Sequence, residues 1–421
     1  MRMDGLRTRG HPAALAAVGS MIRGRTPHAV LLVGPAGVGK TTLAMDLAAG
    51  LLCSAVDPAV RPCGACRACR LVASDGHPDV HRLGPDGPGR QVVIGGPGAK
   101  VRGVRDLITG LALLPVEGGA RVAIVTSAQR MNEDAQTALL KTLEEPPDGV
   151  TIVLCADAEE PLLATIRSRC ARLRLGPVGV RDVEVILASH EAADAPLAGR
   201  LARISGGRPG LALAWARQPE ALRARDELAR TLLDLSGAPP AERLATLRAA
   251  VPRAAALATL TDRPAVEAGR TGAVSVARPG PAGRRTKAGP APSTGVAHPP
   301  LTTPGDDKHA DADIPDDTDV ASGPVRTPAT ERRRAAEALV TLWADVARDL
   351  ALAQRGLARS VRDLGLLEET IAVAAHLDTD ALTAFLDRAG RAAVLIAGNV
   401  SPELVLDDLA LAWPRAHHPA A

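Results

Sequence analysis

The sequence predicts an α/β fold over about residues 1–176, a parallel sheet with helices on both faces, followed by a small helical domain and a larger all-helical C-terminal domain. Three observations lead there. Short apolar runs of buried-strand type, Ala29–Val33, Val122–Val125 and Thr151–Cys155, alternate with helix-like stretches. The first run leads directly into GPAGVGKTT at Gly34–Thr42 and then into the helical text Leu43-Ala-Met-Asp-Leu-Ala-Ala. From about residue 177 strand-like runs give way to helical ones.

Gly34, Pro35, Ala36, Gly37, Val38, Gly39, Lys40, Thr41 and Thr42 keep the spacing Gly-x4-Gly-Lys-Thr between a strand and a helix, as a phosphate-binding loop requires. Backbone N–H groups and the helix N-terminus there can hold phosphate oxygens. Lys40 would neutralise β- and γ-phosphates, and the Thr41 hydroxyl would ligate Mg2+. ATP with Mg2+ is the expected ligand; a loop kept only as a fold element is the alternative.

Cys53, Cys63, Cys66 and Cys69 follow in the pattern Cys-x9-Cys-x2-Cys-x2-Cys. Four thiolates close a tetrahedral Zn2+ site and leave no position open for substrate, so the expected site is structural. Free thiols and an iron–sulfur cluster are the alternatives, but a ferredoxin-type cluster would want a further downstream Cys followed by Pro, and that is missing. A disulfide is not expected beside an ATP site in a cytoplasmic protein. Cys155 and Cys170 stand apart and read as small buried hydrophobes. His77 and His81 lie near the cluster, yet four cysteines already complete a zinc shell, so both are expected in the core or in solvent.

Helices are expected at Val180–Glu191, Pro196–Ile204 and Leu211–Arg217, the last two divided by the turn Ser205-Gly-Gly-Arg-Pro209. The segment from about 262 to 328 is rich in Pro, Gly, Ala and Thr and carries six aspartates between Asp306 and Asp317. Without apolar periodicity it cannot offset its ordering entropy, and a disordered insertion is expected. Glu331–Trp413 is helical again, with Leu339, Leu342, Val346, Leu350 and Leu352 on one face. The C-terminal helical domain is thus split by the insertion, and Pro219–Thr259 supplies its first part.

Composition narrows the function classes. A net charge of +3 over 421 residues argues against wholesale wrapping of nucleic acid. One Phe, three Trp and no Tyr leave almost no aromatic platform for stacking bases. No apolar run approaches the roughly 20 residues of a membrane span, and the N-terminus has no signal-peptide core, so a cytoplasmic protein without membrane contact is expected.

Several motifs now add up to a family resemblance. GPAGVGKTT, the cysteine cluster, His77-Pro-Asp79, NEDAQTALLKTLEEPP at Asn132–Pro147, LLATIRSRC at Leu162–Cys170 and the turn Ser205–Gly210 together resemble the clamp-loader ATPase subunits of bacterial DNA polymerase III, an AAA+ family. The likeness is strongest from about 10 to 215, and a weaker one returns at Asn399–Val405. It implies an AAA+ nucleotide-binding domain with a zinc module (1–176, module about 53–69), a helical lid (177–218) and a helical collar that oligomerises (219–421, interrupted at about 262–328).

Within the family, active ATPases end the strand matching Val122–Val125 in Asp-Glu, one carboxylate helping to hold Mg2+ and the other polarising water. Here those positions are Thr126 and Ser127, neither ionised at neutral pH. Glu133 and Asp134 come too late and read as charges at a helix N-terminus. Ala156 stands where the family often has a polar sensor. Such a chain is expected to bind ATP with little hydrolysis of its own, as in the delta-prime branch; a gamma/tau motor subunit is the alternative, and a zinc-bearing DNA-binding module a more distant one.

The resemblance also implies that Arg169 of the Ser-Arg-Cys motif acts as an arginine finger on the nucleotide of a neighbouring subunit, against the plainer reading of a surface arginine. Arg208 matches the second-sensor position and would touch a phosphate in the chain's own site, although an arginine at a helix start is common. The implied partners are the gamma/tau and delta subunits of a hetero-oligomeric ring, the sliding clamp and, through the assembly, primed DNA.

Overall fold

Strand segments in the first 176 residues pair into one parallel five-stranded sheet of order β2-β3-β4-β1-β5. The computed structural model describes residues 5–87, 90–117, 119–261, 329–398 and 400–416; the insertion expected at about 262–328 lies outside the described residues. In chain order the sheet region runs α1 (Pro12–Arg23), β1 (Ala29–Val33), α2 (Lys40–Leu52), α3 (Arg67–Ala73), β2 (Val80–Leu83), α4 (Val104–Leu111), β3 (Arg121–Val125), α5 (Glu133–Glu144), β4 (Val150–Ala156), α6 (Ala164–Arg169) and β5 (Ala171–Arg174). β4 lies between β1 and β3, pairing Ala29 with Ile152 on one side and Arg121 with Val150 on the other.

Strand alternation sorts the core into two layers. Val30, Leu32, Val122, Ile124, Val153 and Cys155 join the cluster that contains Val18 of α1 and Leu43 and Leu47 of α2. Ala29, Leu31, Ala123, Val125, Ile152 and Leu154 join the opposite cluster with Leu107 of α4, Leu139 of α5 and Ile166 of α6. Successive side chains of a strand point to opposite faces, so a strand apolar at every position is buried on both sides. Each fully buried Leu or Ile contributes about 1.5–3 kcal/mol.

β2 and β5 were not among the strands expected from the sequence. Each has only four residues, VHRL and ARLR, and every β5 residue alternates between half-buried and exposed. An edge strand in this position needs no apolar run, and its signal is too short to separate from a loop.

The helical region continues with α7 (Val180–Ser189), α8 (Ala195–Ile204), α9 (Pro209–Arg217), α10 (Pro219–Asp234) and α11 (Pro240–Thr261). After the undescribed segment come α12 (Ala329–Gln354), α13 (Leu367–Ala374), α14 (Thr379–Ala397) and α15 (Pro402–Ala412). α7 stops at Ser189, two residues before the expected end, because Glu191 takes a left-handed φ of 49°. α9 begins at Pro209, earlier than expected, with proline in the first turn, where its missing N–H costs nothing.

The chain's single Phe and two of its three Trp meet in this region. Phe385 lies edge-on to Trp413 with ring centroids 4.6 Å apart, and Trp343 sits 5.4 Å from Phe385 and 5.5 Å from Trp413. Beside them Arg243, 1% exposed, donates through Nη2 to the Ser236 carbonyl at 3.1 Å and through Nη1 to the Trp413 carbonyl, tying α11 to the ends of α10 and α15. Polar pairs also join α8 to the later helices: Arg200 reaches Asp226 at 2.8 Å and Asp363 at 3.5 Å, and Arg225 pairs with Asp363.

Candidate nucleotide and metal sites

The carboxyl ends of β1, β4 and β3 lie side by side, and the segments that follow them meet at one rim, the edge where parallel sheets bind ligands. Gly34 N–H donates to the Ala156 carbonyl at 3.1 Å, tying the phosphate loop to the end of β4. A Cβ on Gly34 would come within 2.2 Å of the Leu175 carbonyl oxygen, so only glycine fits the close passage of β5's exit. Gly39 N-caps α2 with a φ of 110°, which turns the loop into the helix. The His11 ring lies 2.9 Å from the Val38 carbonyl and braces the loop from α1.

Lys40 is 8% exposed and turned back onto its own loop. Its ammonium donates to the Gly34 carbonyl at 2.6 Å, the Pro35 carbonyl at 2.8 Å and Asp157 Oδ1 at 2.7 Å. The other oxygen of Asp157 accepts from Gln129 Nε2 at 2.7 Å. Ala156, at the expected sensor position, is fully buried, and the polar group on the lysine comes one residue later. Reading the sequence missed Asp157 because nothing in a strand-end acidic residue marks its reach across the sheet to Lys40.

Thr126 follows β3 with its N–H 2.9 Å and its hydroxyl 3.2 Å from the Leu83 carbonyl of β2, and Ser127 turns left-handed at φ 60°. Neither residue brings a carboxylate to this rim. Glu133 and Asp134 are exposed in the first turn of α5, whose cap is Asn132, accepting from Ala135 N–H at 3.0 Å.

Arg208 is the N-cap residue of α9, where Gly210 N–H donates to the Gly37 carbonyl at 2.8 Å. The helical region therefore touches the phosphate loop at this turn. A Cβ on Gly207 would meet the Val178 carbonyl at 2.6 Å, and its φ of 77° needs glycine as well. Arg208 Nε donates to the Ser205 carbonyl at 2.9 Å. Burial pushes its pKa down, and the charge of Asp345 on α12 opposes that shift.

Arg169 ends α6. Its guanidinium pairs with Glu144 Oε1, at the end of α5, at 2.8 Å and donates to the Thr165 carbonyl at 3.0 Å. The side chain remains about a third exposed. Glu144, inside the ALLKTLEEPP motif, is a second residue that the sequence did not single out, since one glutamate in a charged helix end looks like any other.

The four cysteines do converge. All four Sγ atoms lie within 4.8 Å of one another, and Cys53 and Cys66 are 3.9 Å apart, close to the roughly 3.8 Å edge of a tetrahedron with Zn–S bonds of 2.3 Å. Cys53 closes the C-terminus of α2, Cys66 caps α3 and Cys69 lies in its first turn, so the Gly-x4-Gly-Lys-Thr motif and the cysteine cluster lie at opposite ends of α2. Three backbone N–H groups donate to sulfur at 3.4 Å each: Cys63 to Cys53, Cys66 to Cys63 and Cys69 to Cys66. Such bonds favour the thiolate a metal needs. Burial works against ionisation of Cys66, but the donors on Cys69 and Ser54 outweigh it and bring that thiol down to about 5. This donor set fits zinc.

The remaining titratable groups nearby stand outside the cluster. His77 is buried, its Nδ1 accepting from Asp79 N–H at 3.1 Å and its Nε2 3.7 Å from Glu117. Burial pushes the His81 ring down, aided by Arg121. Asp79, fully buried, accepts from the N–H groups of Val116 and Glu117 at 2.7 and 2.9 Å and holds the turn before β3. Cys155 and Cys170 are buried as expected, their thiols pushed up to about 12 and about 11 by desolvation.

Residues 12–179 match the family described as DNA polymerase III, delta subunit. The chain is 36% identical to DNA polymerase III subunit delta' of Pseudomonas aeruginosa over 46% of this chain and 57% of that protein. It is 38% identical to subunit delta' of Escherichia coli over 51% of this chain and 62% of that one. DNA polymerase III subunit tau of Escherichia coli is 34% identical over 38% of this chain and 23% of that protein. A solved DNA polymerase III gamma subunit-related protein from Thermotoga maritima is similar at 19% identity, over 59% of this chain and 83% of that one, with a TM-score of 0.33. The chain thus spans about three-fifths of the length of the delta' relatives it matches. Over part of its length, the chain is thus similar to the delta' subunits of DNA polymerase III.

Proposed function

We propose that this protein is a delta-prime subunit of a cytoplasmic clamp loader. It binds ATP with Mg2+ at Gly34–Thr42, contributes little hydrolysis itself and offers Arg169 to the nucleotide of a neighbouring gamma/tau subunit. Sheet, lid and collar are then 1–176, 177–218 and 219–421, with zinc on the four cysteines fastening the module at about 53–69 to α2. The delta subunit, the sliding clamp and primed DNA complete the assembly.

The observation that carries this reading is the end of β3. Catalysis of hydrolysis needs a base or water-orienting carboxylate and negative charge for the metal, and the rim presents Thr126, bonded to Leu83, and Ser127 instead. Arg169, at an exposed helix end and held by Glu144 and the Thr165 carbonyl, can leave Glu144 at small cost, since a pair this exposed is worth about 1 kcal/mol or less. Its guanidinium fork then suits the spread charge of a transferring phosphoryl group.

The test compares the reconstituted loader carrying wild-type or Arg169→Ala subunit, with clamp and primed DNA present. ATP hydrolysis at the affected site should fall by about 10^3-fold, with folding and zinc content unchanged. Lys should rescue poorly, because a point charge lacks the fork. Equal rates from equally assembled complexes would return Arg169 to the surface arginines. Ordinary turnover by the purified chain alone would favour the gamma/tau reading.

A further inference from the structure

We infer that Asp157 is an internal stand-in for phosphate: it pairs with Lys40 and sets the affinity for nucleotide, which must displace it. The inference rests on the reading of Gly34–Thr42 as a nucleotide site. A lysine ammonium has three protons to donate, and here all three are taken, by Gly34, Pro35 and Asp157 at 2.6 to 2.8 Å. None is left for a phosphate oxygen. The two carbonyl partners belong to the loop that would wrap the phosphates, whereas Asp157 comes from the end of another strand and carries the charge a phosphate would bring.

Asp157 is also held in place. Gln129, just after β3, donates to its second oxygen at 2.7 Å, so each carboxylate oxygen has its own donor. Lys40 is nearly buried while Asp157 is 41% exposed. The carboxylate can therefore swing to solvent, whereas the lysine cannot leave the loop. An arriving nucleotide replaces one anion by another on the same ammonium and leaves a carboxylate beside its phosphates. Both effects weaken binding. A latch that leaves only a fraction of molecules competent lowers apparent affinity by that fraction.

The experiment titrates the purified full chain with MgADP and MgATP by calorimetry, for wild type, Asp157→Asn, Asp157→Ala and, as a non-binding control, Lys40→Ala. Both Asp157 variants should bind roughly five- to tenfold tighter, the effect of removing an ion pair worth about 1 to 1.4 kcal/mol. Unchanged or weaker binding by both variants would overturn the inference. A second measurement is independent of nucleotide: acylation of Lys40 in the empty protein, read by mass spectrometry, should rise in Asp157→Asn. If the wild type binds no nucleotide but Lys40 becomes reactive in the variant, the latch stands and the nucleotide-site reading fails. If Lys40 reactivity does not change, the latch itself is rejected.

Discussion

Replacing Phe385 by Ala removes the one phenylalanine of the chain from the centre of its aromatic cluster. The ring is 1% exposed and contacts Trp413 edge-on at 4.6 Å and Trp343 at 5.4 Å. Burying such a side chain contributes about 1.5–3 kcal/mol, and each aromatic pair adds about 0.5–1.5 kcal/mol. The sum, about 2.5–6 kcal/mol, brackets the 3–5 kcal/mol typical of Phe→Ala in cores, so a loss near 4 kcal/mol is expected. Phe385→Leu keeps most of the volume and should lose about 1.5 kcal/mol. Trp343 and Trp413 report the region directly, and urea unfolding followed by their fluorescence measures it. With an m-value of about 2 kcal/mol per molar urea, the Ala variant should unfold roughly 2 M earlier. A loss no larger than that of the Leu variant would show that the aromatic contacts of Phe385 add nothing beyond its volume. Zinc content should stay the same in both variants, because the cysteine cluster lies on α2 and α3.

Cys66→Ser should lower zinc from one per chain and reduce affinity by at least 10- to 100-fold, measured by metal analysis of reduced protein, since it removes one of the four thiolate ligands. Chelating the metal from wild type should expose Cys63 and Cys66, whose thiols are pushed down, to alkylation at pH 8 while Cys155 and Cys170, held protonated by burial, react only on unfolding; alkylation of Cys155 or Cys170 in the folded, chelated protein would contradict this. Arg243→Ala should cost about 3–5 kcal/mol in urea unfolding, because it leaves the Trp413 carbonyl buried without its donor and removes one donor each from the Ala238 and Ser236 carbonyls, and a loss under 1 kcal/mol would show that Arg243 fastens nothing.

Much of the site was legible because its chemistry is local in sequence. A Gly-x4-Gly-Lys-Thr loop needs only the strand before it and the helix after it, and a Cys-x2-Cys-x2-Cys run brings three sulfurs together within two turns of chain. The central strands β1, β3 and β4 announce themselves because burial on both faces demands an unbroken apolar run. The edge strands β2 and β5 were not legible for the same reason reversed: half-exposed, they carry His, Arg and Leu in patterns shared with loops.

What the sequence alone determined about this protein is therefore the Gly-x4-Gly-Lys-Thr motif between strand and helix, the four cysteines that converge, the absence of carboxylates at Thr126 and Ser127 and the delta-prime likeness, each written in neighbouring residues. Tertiary structure alone decided the long-range pairings. Lys40 meets Asp157 across 117 positions because β1 and β4 are adjacent, Arg169 meets Glu144 because α5 and α6 pack side by side, and Arg243 meets Trp413 because α11 lies against α15. No local pattern encodes such contacts, since a charged residue has the same propensity whether its partner is solvent or another strand, and only the packing of the elements between them supplies the partner.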